Sequence, residues 1–313
     1  MTTIPSFKLN TGATIPGIGL GCGSWDRSRE AIAASKDWIL SGLKLGYRHL
    51  DTASVYLTES AVGQAIRESG VPREDIFVTT KLFMNQPVIT YKAFYDSLER
   101  LGLDYVDLYL MHWPMTVQYT GDDLESMDVV LPKDEKGNLK LLEHPNFNET
   151  WTMMELLLNT GKVKAIGVSN FSIKTLEQLF KTAKIVPAVN QVEIHPLLVQ
   201  EELVQYCKKK GIQVVAYSPT GHSKVLELPL IKELAAKYNV TPAQIVLAWH
   251  LARGVVAIPK SANPERQKLN ITLPTLDPED VKRISSLDRN ERLTNADETG
   301  RVFGGWTLEQ MGW

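Results

Sequence analysis

Seven short apolar segments of the chain each end on residues that can carry a proton or make a hydrogen bond. They end on Asp51, Lys81, His112, Ser169 with Asn170, Gln191, Tyr217 with Ser218, and Lys260 with Ser261. Carboxylate, ammonium and imidazole groups serve proton transfer, whereas amides and hydroxyls orient a polar ligand. Taken singly, each has an ordinary explanation. Asp51 could cap the next helix, with Thr52 and Ser54 as substitutes, and Lys81 could be a solvated charge. Tyr56 could be a packing residue, and His112, beside Trp113 and Pro114, a satisfied structural histidine. Their recurrence at consecutive segment ends argues for one site. Other signatures fail. Gly17-Ile18-Gly19-Leu20-Gly21-Cys22-Gly23 does not fit Gly-x-Gly-x-x-Gly, and Gly167-Val168-Ser169-Asn170-Phe171 lacks the second glycine of a nucleophile elbow. The six histidines show no zinc-ligand spacing, so no metal site is expected.

Residues so far apart in the chain need a scaffold that brings segment ends together. Segments 47–51, 75–81, 105–112, 163–169, 188–193, 212–218 and 254–261, with one more near Ile18 to Leu20, read as buried strands. Helical spacing occupies 29–45, 58–69, 88–101, 148–160, 172–182, 199–209, 226–238, 241–252 and 278–287. This alternation predicts an α/β fold, a (β/α)8 TIM barrel whose parallel strands each need a helical crossover. Such a barrel presents its reactive groups at the C-terminal ends of its strands. Two apolar runs around Asn10-Thr11-Gly12 predict an N-terminal β-hairpin outside the barrel. No composition break interrupts the chain, so a single domain over 1–313 is expected, with long C-terminal-face loops at 113–147 and 289–313.

Composition narrows the function classes. The 34 lysines and arginines nearly balance 36 aspartates and glutamates, a net charge of −2 that gives no reason to expect nucleic acid or an anionic membrane. Cys22 and Cys207 fit two buried thiols in a reducing compartment. No secretory signal or long apolar span is visible, so a cytoplasmic protein is expected.

The motifs carry a resemblance. GYRHLDTASVYLTESAVGQAI around Asp51 and Tyr56, FVTTKLF around Lys81, LGLDYVDLYLMHWP ending past His112, GKVKAIGVSNF, PAVNQVEIHP, VVAYSP and IPKSANPER together resemble the aldo-keto reductases in order and spacing. The resemblance implies a barrel that binds NADPH/NADP+ without a Rossmann fold, and a catalytic set of Tyr56, Asp51, Lys81 and His112. Carbonyl reduction needs a proton donor, and a free tyrosine with pKa of about 10 is a weak acid at neutral pH. Lys81 would stabilise the Tyr56 phenolate, Asp51 would fix Lys81, and His112 would orient the carbonyl oxygen. On the cofactor side the expected contacts are Trp25, Asp51, Ser169, Asn170, Gln191, Tyr217 and Ser218 around the nicotinamide. Lys260, Ser261, Asn263 and Arg266 would hold the 2′-phosphate, and Asn270 the adenine. Two departures stand out. Leu269 replaces the acidic or amide residue often found before the asparagine, and residues 218–224 form a shorter cofactor loop than in many mammalian members.

The substrate is expected to be a small-molecule carbonyl compound held by Trp25, Tyr56, His112, Trp113, Arg301, Phe303 and Trp306. Asp26, Arg27, His222, Lys224 and Arg301 are the polar candidates, Arg301 as a partner for a carboxylate, and the general resemblance to microbial and fungal sugar reductases implies an open-chain aldose, such as xylose or arabinose, or a uronic acid such as D-galacturonate. A broad-specificity aldehyde reductase is the alternative, and a non-catalytic NADPH-binding subunit or a phosphate-sugar isomerase lies further off. The chain is expected to act as a monomer or weak homodimer.

Overall fold

The computed structural model describes residues 4–313 apart from Trp25, residues 296–299 and Gly304. Its strands, in chain order, are β1 (Ser6–Lys8), β2 (Thr14–Pro16), β3 (Leu20–Gly21), β4 (His49–Asp51), β5 (Phe77–Leu82), β6 (Val106–Met111), β7 (Thr116–Val117), β8 (Leu141–Leu142), β9 (Val163–Ser169), β10 (Val189–Glu193), β11 (Gln213–Tyr217) and β12 (Val256–Ala257). Strands β1 and β2 form the expected antiparallel hairpin. Eight strands form one parallel sheet in the order β12-β11-β10-β9-β6-β5-β4-β3. Every residue of β5 and β6 is buried, as parallel strands covered on both faces must be.

The sheet closes on itself. A parallel bridge joins Ile18 to Ala257, with Gly19 N donating to Ala257 O at 2.9 Å and Gly21 N to Pro259 O at 3.0 Å. This seam explains the glycine run. A Cβ at Gly19 would lie 2.5 Å from His49 Nδ1, and one at Gly21 would lie 2.9 Å from the Ile258 carbonyl oxygen. The glycines there serve close backbone approach rather than a phosphate turn.

Apolar side chains fill three layers. Leu108, Leu110, Ala165, Val189, Val215 and Val256 pack inside the barrel, and Leu9 and Ile15 of the hairpin plug its N-terminal end. A larger shell between strands and helices includes Trp151, Trp249 and Phe94. Complete burial of one such side chain contributes about 1.5–3 kcal/mol. The third layer roofs the C-terminal face: Val55, Phe83, Met84, Trp113, Met115, Val302 and Met311 pack there together. This layer fixes the loops that carry the site.

The helices begin where local chemistry permits. Residues Pro242–Ala252 start behind Thr241, whose hydroxyl accepts from Gln244 N in a capping box, and Pro242 takes the first turn. Helix Arg29–Leu45 has the expected bounds and ends at Gly46, whose φ of 113° needs a residue without Cβ. The expected 226–238 helix is divided: His222–Leu226 stops and Pro229–Tyr238 starts afresh, since Pro229 has no N–H to continue a helix. Segment 254–261 keeps only Val256–Ala257 as strand; the residues beyond leave the sheet for the rim. Helices Met127–Val130, Pro264–Asn270 and Leu308–Met311, and the β7–β8 pair, are additions within segments read as loops. Among the described residues no helix is long and apolar enough to cross a membrane.

Candidate active site

The end of β4 supplies Asp51, β5 supplies Lys81, and His112 follows β6. Lys81 is wholly buried. Its Nζ donates to Asp51 Oδ1 at 2.5 Å and to Thr52 O at 2.8 Å, and the other Asp51 oxygen accepts from Gln191 Nε2 at 2.7 Å. One carboxylate therefore organises two neighbours. Tyr56 stands at the end of a 3₁₀ turn, Ser54–Tyr56, that is pinned to the β5 loop. There Ser54 Oγ donates to Gln86 Oε1 at 2.8 Å, and the same Gln86 oxygen accepts from Phe83 N at 3.0 Å. The turn places the Tyr56 ring 5.0 Å from Lys81 Nζ and the Tyr56 hydroxyl 3.5 Å from His112 Nε2. Ring edges of Tyr56 and Phe83 meet His112 at centroid distances of 5.7 and 5.5 Å, so the imidazole is held from two sides.

Burial dominates the protonation states. It raises the Tyr56 phenol above its ordinary pKa, while the Lys81 charge pulls the other way and Asp51 adds to the rise. Lys81 thus acts in the expected direction but is outweighed, and the resting tyrosine keeps its proton at neutral pH. For Lys81, burial works against the ammonium, but the attractions of Asp51 and Tyr56 prevail and its pKa lies above the ordinary value. Burial, assisted by Lys81, holds His112 well below the usual imidazole pKa, so its ring is neutral. Its Nδ1 is buried without a hydrogen-bond partner among the described residues.

A cleft of about 290 Å³ runs from Tyr56 and His112 past Asp51, Asn170, Gln191, Tyr217 and Ser218 to Lys260. Asn170, in the left-handed region at φ 65°, donates through Nδ2 to His112 O at 2.9 Å and accepts at Oδ1 from the Tyr217 hydroxyl at 2.8 Å. Ser169 is buried behind it, donating to Gln191 O at 2.8 Å. At the far end Ser261 Oγ accepts from Asn263 N, and Asn263 caps helix Pro264–Asn270 by accepting from Arg266 N at 3.0 Å. Lys260 and Arg266 are both exposed, with Lys260 Nζ 5.3 Å from the Trp38 ring. Asn270 is buried beside the Tyr47 hydroxyl and does not line the cleft.

The expected substrate wall is only partly assembled. Trp113 and Phe303 line the cleft edge to face, 5.6 Å apart. Trp306 packs in the roof layer, outside the lining. Trp25 lies outside the described residues. Arg301 does not line the cleft: its Nη1 turns back to the tail and donates to Gly305 O at 3.0 Å. Lys224 pairs with Glu291, and neither it nor His222 lines the cleft. Arg27 does line the cleft. Residues that the sequence reading missed include Ser54 and Gln86, which set the turn, and Thr294 and Asn295, which line the cleft from the C-terminal segment. Asn295 Nδ2 donates to the Tyr217 hydroxyl at 3.0 Å. Polar residues in an irregular segment carry no periodicity that could have marked them.

Residues 17–289 match the model of the aldo/keto reductase family. The chain belongs to that family. This aldo/keto reductase is similar to a glycerol 2-dehydrogenase (NADP(+)) of Saccharomyces cerevisiae, 49% identical over 289 residues that cover 91% of each chain. It is 39% identical over 285 residues to a D-galacturonate reductase of Hypocrea jecorina, covering 90% of this chain and 89% of that one. A crystal structure of an aldo-keto reductase complexed with NADPH superposes with a TM-score of 0.81 at 34% identity, covering 93% of this chain and 90% of the other.

Proposed function

We propose that this aldo/keto reductase uses NADPH to reduce the carbonyl of an open-chain sugar or uronic acid to the alcohol. The observation that carries the reading is the approach of the Tyr56 hydroxyl to His112 Nε2, 3.5 Å apart at the cleft, with the buried Lys81–Asp51 pair behind the tyrosine. The donor set fits the cofactor: the Tyr217 ring offers a stacking face, Asn170 and Gln191 are amides on the cleft wall, and the exposed cations Lys260 and Arg266 suit a phosphate. When bound there, NADPH would supply the hydride. The chain supplies the rest. Tyr56 holds a proton at neutral pH and gives it to the carbonyl oxygen as negative charge develops there. Neutral His112, protonated on Nε2, donates a hydrogen bond to the same oxygen and sets its orientation. The Lys81 ammonium stabilises the phenolate left behind until solvent returns the proton, and Asp51 keeps that ammonium in place.

The activities for which two relatives are named, on glycerol and D-galacturonate, both polyhydroxylated, support the sugar class. The apolar walls Val55, Phe83, Trp113 and Phe303 support a second reading, a broad aldehyde reductase. A panel of aldoses, uronic acids and aromatic aldehydes, followed by NADPH absorbance, decides between them. Faster turnover of every aromatic aldehyde than of any sugar or uronate would overturn the sugar reading.

A further inference from the structure

We infer that Arg27, in the loop between β3 and the helix Arg29–Leu45, is the residue that selects carbonyl substrates bearing a carboxylate. The inference rests on the reductase reading above and deepens it. Arg27 lines the same cleft as Tyr56, Val55 and Trp113. Its Nη1 donates to Val55 O at 2.7 Å, the carbonyl next to the tyrosine in the chain, and its Nη2 donates to Leu124 O. These two bonds fix the plane of the guanidinium and bridge the Tyr56 turn to the long loop after β6. A guanidinium has five N–H donors, so donors remain beyond the two anchoring bonds.

Electrostatics single out this side chain. Asp51 is the one carboxylate among the described residues lining the cleft, and Lys81 and Gln191 already occupy its two oxygens. His112 is neutral. Lys260 belongs to the far end, beyond Tyr217 and Ser218. Among the described residues, Glu125 is the acidic group that acts on Arg27, but it is exposed, pairs with Arg29 at 3.5 Å and forms no ion pair with Arg27. Among the described residues, the substrate half of the cleft therefore carries one positive charge, that of Arg27, on a preoriented planar fork. That geometry matches a carboxylate better than a hydroxyl. Arg301, the residue sequence reasoning favoured for the same task, is turned to the tail.

The test compares D-galacturonate with D-galactose, and 4-carboxybenzaldehyde with benzaldehyde, as substrates of the full chain with NADPH. The unmodified enzyme should favour the carboxylate member of each pair in kcat/KM, through KM more than kcat. Arg27→Gln should lower that preference, the ratio of kcat/KM within each pair, between about tenfold and a hundredfold, the span of a hydrogen bond to a charged group, over and above any loss the lost anchoring bonds impose on both members of a pair alike. Arg27→Lys, which keeps the charge without the fork, should retain part of the preference. Added salt should erode the preference of the unmodified enzyme and leave Arg27→Gln unmoved. An unchanged ratio in Arg27→Gln, or equal losses on charged and neutral substrates, would overturn the inference and leave the reductase reading standing; equal losses would show that Arg27 only anchors loops. Failure of the unmodified enzyme to oxidise NADPH with any of the four carbonyl compounds would remove the reductase reading and the inference with it.

Discussion

Asp51 divides its two oxygens between the ammonium of Lys81 and the amide of Gln191, so one residue aligns the Tyr56 side of the cleft with its amide wall. Two substitutions separate these duties from proton donation. Tyr56→Phe keeps the ring against His112 and removes only the hydroxyl; turnover should fall by about two orders of magnitude or more, with NADPH still quenching protein fluorescence. Retention of most turnover would show that another group donates the proton. Asp51→Asn keeps the shape but strands Lys81 as a buried charge, a loss of about 3–5 kcal/mol for breaking such a pair. Its pH dependence has a definite sign. Without Asp51, burial depresses the folded-state pKa of Lys81 below its unfolded value, so the unfolded chain binds more protons and stability rises with pH. In the unmodified protein the Lys81 pKa lies above its ordinary value, and its contribution is present in full through neutral pH. Melting temperatures from pH 6 to 9 should therefore climb for Asp51→Asn relative to the parent; parallel curves would refute this account of Lys81.

Residues 291–295 of the C-terminal segment form a strap on the Tyr217 side of the cleft. Glu291 pairs with Lys224, Leu293 N donates to Glu193 Oε1 at 2.7 Å, and Asn295 reaches the Tyr217 hydroxyl. Since Tyr217 also donates to Asn170, whose amide holds the His112 carbonyl, the strap connects the proposed stacking face to the histidine. Asn295→Ala removes one hydrogen bond worth about 1 kcal/mol, so NADPH should bind about fivefold more weakly in fluorescence titration. Unchanged affinity would show that Tyr217 is held without it. The contacts of residues 291–295 were not legible in the sequence, which places 289–313 as a loop on the C-terminal face but shows neither alternation nor helical spacing there. The barrel was legible because its strands are buried on both faces and its helices have one apolar side, and the gathering of the candidate residues Asp51, Tyr56, His112, Asn170, Gln191 and Tyr217 at one cleft because a barrel brings strand ends together. Arg301 misled for the converse reason: a cation in an irregular tail has no period to fix its direction, and here a backbone carbonyl of the same tail takes it. Helix Pro264–Asn270 was hidden because its short run reads equally well as a basic loop.

Across the whole molecule, burial has placed three histidines where protonation is resisted. His49 sits against the barrel seam and is pushed down to about 4, His250 near Pro219 O is pushed down to about 3, and His112 lies well below the ordinary value, each chiefly through loss of solvent. When the chain unfolds, all three regain a pKa of about 6.5. Below that pH the unfolded chain takes up protons that the folded chain refuses, so stability must fall as pH drops from about 6.5 toward 4. Each group contributes about 1.4 kcal/mol per pH unit at its steepest, roughly 4 kcal/mol per unit together. His144 opposes this trend, its pKa being raised by Glu149, but it is an exposed group whose pairing solvent weakens. Carboxylates held low by partners, such as Asp280 beside Lys237, add their own acid sensitivity only nearer pH 4. Urea unfolding at intervals from pH 7.5 to 5 should therefore show a falling midpoint before carboxylates titrate, with His250→Gln reducing the slope by about one proton. A midpoint that stays level down to pH 5 would mean that the buried imidazoles accept protons inside the fold, and the neutral state assigned to His112 in carbonyl orientation would fall with it.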